Sequence, residues 1–150
     1  MDTSPKYIEM CKKAIEIQEQ WKPDVADFVM GEYESTITIW QTVQGIDHGS
    51  LKPLFTNAGK LAWYLKSEMI WLPRQDQLQE LTHAKKHGGA LFGELIKFIE
   101  WFEKTYIEMS NMDKPNRTFF NTQEQLWLAF VMKEKYGEKW IDNDWRKVYE

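Results

Sequence analysis

Disulfide bonding within the chain is excluded at once, because its 150 residues contain one cysteine, Cys11. Cys11 falls among apolar residues at helical spacing, so it reads as a small buried hydrophobe. A reactive thiolate needs an exposed, electropositive setting instead. With five prolines and eight glycines, the chain is neither collagen-like nor low-complexity, and its apolar content excludes native disorder. Long hydrophobic runs are missing too. None approaches the roughly 18–20 residues of a membrane-spanning helix, and the polar start Met1-Asp2-Thr3-Ser4-Pro5 lacks the character of a secretion signal. The expectation is a cytoplasmic protein with no membrane partner. Positive charge is not in surplus: 19 Lys and Arg stand against 23 Asp and Glu, a net charge of −4. A dedicated nucleic-acid binder needs a basic face to neutralise phosphates, so nucleic acid is not the expected partner.

Aromatic residues are abundant: eight Trp, eight Phe and six Tyr. Either the core is aromatic, or some rings wait for a ligand. A chain of this length makes one domain, burying roughly 68–70% of its unfolded surface without help from a metal. The hydrophobic patterning predicts a single α+β domain, a small antiparallel sheet packed against about four helices.

Ser4-Pro5 is a helix start, a capping hydroxyl before proline at the first helical position. From there Tyr7, Ile8, Cys11, Ala14 and Ile15 share one face of a helix that runs to Trp21, where Pro23 disfavours its continuation. Thr36 to Val43 alternates with β-branched residues, the mark of a strand, and Phe28-Val29-Met30 is its hairpin partner with Gly31-Glu32 in the turn. Residues 45–59, with three glycines and Pro53, read as a loop. Met69-Ile70-Trp71-Leu72 reads as a strand, after which Pro73 opens a helix ending before Gly88-Gly89. Ala90 to Met109 has an apolar stripe of Leu91, Phe92, Leu95, Phe98, Ile99, Phe102, Tyr106 and Met109, with Trp101 off the stripe and therefore at its edge or exposed. Thr122-x-x-Gln125 is a capping box, and the helix behind it, apolar on every side, is central. Trp140 and Trp145 bracket a polar Asp142-Asn143-Asp144 turn, the outline of a terminal hairpin.

Catalytic templates are missing. There is no G-x-S-x-G elbow, phosphate-cradling glycine loop or second cysteine, and the calcium-like start at Asp142 has no twelfth-position Glu. Asp76, Glu80, His83 and His87 form one stripe if their helix continues to His87, and Glu80-x-x-His83 is half of a di-iron motif. The second half is missing, and Lys85 and Lys86 would repel a cation. A solvated polar face is the better account, with a weak metal site at Glu80, His83 and His87 as the alternative and no cofactor expected. Arg74, in the first turn of that helix beside Asp76, is disfavoured by the helix dipole and should have a partner, either an internal carboxylate or an anionic ligand.

The blocks Tyr7-Ile8-Glu9-Met10-Cys11, Trp71-Leu72-Pro73-Arg74-Gln75-Asp76-Gln77-Leu78-Gln79, and Glu124 through Tyr136 (EQLWLAFVMKEKY) together resemble a family of small uncharacterised proteins of bacteriophages and prophages. The resemblance implies a phage or prophage origin and action in the bacterial host cytoplasm. It carries over no activity and no functional residue.

Two functions fit these features. The first is a non-enzymatic accessory factor that binds a host or phage protein through an aromatic patch including Trp40 or Trp101. The second is a nucleotide or small-molecule binding protein, or an enzyme on such a ligand, that stacks aromatics on a base while Arg74 pairs with phosphate. Homodimerisation is compatible with both. Trp21, Trp71 and Trp127 have positional reasons to be core, while only Trp40 and Trp101 have reasons to be out.

Overall fold

The structure is a computed structural model that describes residues 1–22, 24, 27–31, 39–42, 51–55, 61–65, 67, 69–83, 90–110 and 120–148. Over 39–42, 51–55, 61–65, 83, 90–92 and 106–110 that description covers the backbone alone. The fold is α+β with antiparallel sheets, and contacts within the chain cluster into two compact units, Met1–Arg74 and Gln75–Glu150. No described helix is long and apolar enough to cross a membrane.

The first unit begins with α1 (Pro5–Lys13), capped by the Ser4 hydroxyl, which accepts from the Tyr7 N–H at 3.2 Å as the Ser-Pro signal predicts. The single helix expected through Trp21 is instead two, because the chain breaks at Ala14 (ψ 67°) and resumes as α2 (Ile15–Gln20). The break resets the helical phase. Ile15, expected inside, is 54% exposed, while Ile17 is buried in its place. At the break the Cys11 carbonyl accepts from the Ala14 N–H at 3.2 Å and from the Gln18 side-chain amide at 2.9 Å.

Five strands follow: β1 (Phe28–Gly31), β2 (Ile39–Thr42), β3 (Leu51–Phe55), β4 (Leu61–Leu65) and β5 (Met69–Leu72), in the order β4-β3-β2-β1-β5. The expected hairpin of β1 with β2 is present, with Val29 opposite Trp40, but Gly31 belongs to β1 and pairs with Met69 of β5. The loop expected over 45–59 is overturned at its centre by β3. Pro53 lies opposite Trp63 of β4, and the described register with β2 involves Leu54 and Phe55.

Leu65 and Met69 are four residues apart, so their Cα atoms are at most about 15 Å apart at 3.8 Å per residue. A flat sheet would hold β4 and β5 about 19 Å apart, four strand spacings, and, since the two run parallel, would put the end of β4 and the start of β5 at different ends of the sheet. The sheet therefore curls, bringing its two edges towards each other. Helix α1 packs on β5. Tyr7, Met10, Cys11, Ile17, Val29 and Leu72 fill the interior, Trp21 stacks on Trp71 at 6.0 Å, and the Tyr7 hydroxyl donates to the Pro73 carbonyl.

The second unit contains α3 (Gln75–His83), α4 (Ala90–Ser110), α5 (Gln123–Tyr136) and a hairpin of β6 (Glu138–Ile141) with β7 (Asp144–Lys147). Helix α5 is central, as its all-round apolarity predicts: every residue from Trp127 to Met132 is buried. Its Thr122 cap forms as expected. Thr122 accepts from the Gln125 N–H at 3.2 Å, and the Gln125 side chain reaches back to accept from the Asn121 N–H at 3.1 Å. The helix ends on Gly137 in the left-handed region (φ 67°). The hairpin turns through Asp142 and Asn143, both at positive φ, which sets Trp140 opposite Trp145 with ring centroids 4.9 Å apart.

Candidate functional site

The site is built on α4. Phe98 is its anchor: the ring lies flat on Trp127 of α5 at 4.1 Å and edge-on to Phe130 at 5.4 Å. Trp101, one turn on, rests against Phe98 at 5.9 Å and Phe130 at 5.5 Å and is half-buried. The face of α4 that seats on α5 thus centres on Phe98 and Trp101. This corrects the expected stripe. Trp101 is part of the packed face, while Leu95, Ile96, Ile99 and Phe102 are 43%, 53%, 46% and 38% exposed. An amphipathic stripe normally turns inwards. Here the aromatic cluster is the stronger anchor and turns Leu95, Ile99 and Phe102 of that stripe outwards.

On the other flank of α4, Trp101 lines a concavity of about 240 Å³ with Thr105, Lys97, Lys104 and Glu100 of the same helix, Lys133 and Glu134 of α5, and Lys139 of β6. Four lysines against two glutamates leave it cationic. The Lys97 ammonium donates to Glu94 at 3.0 Å, and that hydrogen bond is the main reason its pKa is raised, so it stays charged at neutral pH. Lys133 pairs with its neighbour Glu134 at 3.1 Å, and Lys104 makes no ion pair among the described residues.

The other residues singled out in the sequence lie elsewhere. Trp40 stands in β2 opposite Val29, with its side chain outside the described residues. Arg74 closes the first unit and precedes α3, so it is not in the first helical turn as expected; Pro73 likewise lies outside the helix, which starts at Gln75. Arg74 is half-buried and already engaged, as is the exposed Asp76. Glu80 is exposed on α3, His83 is the last residue of that helix, and His87 lies outside the described residues, as do Lys85 and Lys86. Among the described residues no three His, Cys, Asp or Glu side chains cluster as metal ligands would.

Lys133 and Lys139 carry no sequence signal of their own, because only the packing of α4 on α5 and the turn at Gly137 bring them to Trp101. Leu95, Ile99 and Phe102 carry a strong signal, but one that points to the core. Compared with known proteins, the chain matches no family model, no curated protein and no solved structure.

Proposed function

We propose that this is a non-enzymatic binding protein of a phage or prophage, and that it engages a host or phage protein through the outer face of α4. The observation that carries the reading is the exposure of Leu95, Ile99 and Phe102 on a helix already anchored elsewhere by Phe98. Their spacing of four and three residues extends in the sequence to Phe92, Tyr106 and Met109. Such a strict 3.5-residue repeat is the seam that one helix offers another, narrower than the stripe a helix lays on a general core. A partner helix is the occupant such a seam fits.

The test is affinity purification from phage-infected cells with the wild-type chain and with Ile99→Ser as bait. The partner should be lost with Ile99→Ser while the melting temperature stays nearly unchanged, since Ile99 is 46% exposed. Equal recovery of the partner by both baits would sink the proposal.

A further inference from the structure

The concavity at Trp101 lies on the opposite flank of α4 from the Leu95, Ile99 and Phe102 seam, as the helical angle of 100° per residue requires. A helix docked on the seam leaves it open, so it is a second site. We infer that it binds a nucleotide-class organic phosphate, with the phosphates taken by the lysines and one face of a planar ring lying on Trp101.

Three observations support this. First, four lysines line the concavity against Glu100 and Glu134, and with Glu94 on Lys97 counted as well the local balance is still positive in a chain whose net charge is −4. Second, three of the four are open to exchange, Lys139 being already engaged: Lys104 has no ion pair among the described residues, and the Lys133–Glu134 and Lys97–Glu94 pairs are surface contacts of the kind that contribute little. Third, the indole is held from behind by Phe98 and Phe130, so it is a fixed platform whose remaining surface lines the concavity. Stacking on such a ring tolerates any base, and ammonium groups are strong partners for phosphate oxygens. The carbonyl end of α5, which would repel an anion, is already capped: the Gly137 N–H donates to the Lys133 carbonyl and the Lys147 ammonium to the Tyr136 carbonyl, both at 2.9 Å. At about 240 Å³ the space is smaller than pockets that enclose a whole drug-sized ligand, so it takes the phosphates and one ring face and leaves the rest of the ligand in solvent.

The experiment is calorimetric titration of the full-length protein with ATP, with inorganic pyrophosphate and with poly-glutamate, repeated on the Lys104→Gln/Lys133→Gln double variant. Lys104 is exposed and Lys133 half-buried, and glutamine keeps most of each aliphatic stem, so the variant should melt close to the wild type. ATP should bind more tightly than pyrophosphate, bind competitively with it, and weaken about tenfold or more in the double variant, as expected for two lost charge-assisted contacts. ATP binding no tighter than pyrophosphate would remove the ring from the proposal. No ATP binding, binding indifferent to the two lysines, or poly-glutamate competing as well as ATP would overturn it outright.

Discussion

The side-chain amide of Gln18 stands where a further strand would pair with β5. It accepts from the Trp71 N–H at 2.8 Å and donates to the Trp71 carbonyl at 3.0 Å, while also donating to the Cys11 carbonyl at the helix break. One residue thus satisfies backbone groups of two elements. Gln18→Leu leaves the Trp71 N–H and carbonyl unpaired in a partly buried setting, while the Cys11 carbonyl keeps the Ala14 N–H, and should cost about 2 kcal/mol, read as a lower urea midpoint at unchanged slope. Cys11 makes a prediction of a different kind. Burial pushes its thiol pKa far up, with a smaller opposing effect from the Tyr7 hydrogen bond. An unfolded thiol ionises near 8.5, whereas the folded one stays protonated, so above about pH 8.5 the unfolded state binds fewer protons and stability falls as pH rises. Below that range the thiol adds no pH dependence. Cys11→Ala should remove this alkaline component of the slope, measured as the difference between the two proteins' stability–pH curves.

At the scale of elements, legibility followed how local the cause was. Caps were readable because they are made within four residues: Ser4, Thr122 and Gly137 sit where their chemistry predicts. Gly137→Ala meets open space but forces an alanine to φ 67°, so it should cost about 1 kcal/mol, seen as a drop of a few degrees in melting temperature. Helix α5 was legible for a related reason, since a segment apolar on all sides has nowhere to be but inside. Helix α4 was legible as a helix and illegible as a face. Its stripe identifies which side is apolar, but only the fit of Phe98 against Trp127 and Phe130 decides which side is seated. The same limit applies at Ala14, where helical spacing extends Tyr7 to Ile15 but the backbone break does not. Strand β3 was hidden by Pro53, a residue that marks loops, although the backbone places it opposite Trp63 of β4.

For the whole molecule, the aromatic content divides between support and display. Trp21, Trp71 and Trp127 are buried as their positions predict, and Trp140 joins them. Trp101 does both jobs, packed on Phe130 and open to the lysines. The candidate site was therefore legible in one residue, Trp101, and not in the cations around it, which come together only through tertiary packing. The central claim is that the α4 seam stands uncovered in the isolated protein. The single buried cysteine makes this directly measurable, because Ile99→Cys introduces the one accessible thiol in the chain. Labelling of the purified, folded Ile99→Cys protein with a thiol reagent should proceed at the rate of a free thiol and stop at one label per chain, with Cys11 reacting only on unfolding. Labelling at position 99 as slow as at Cys11 would show the seam to be buried and contradict the account.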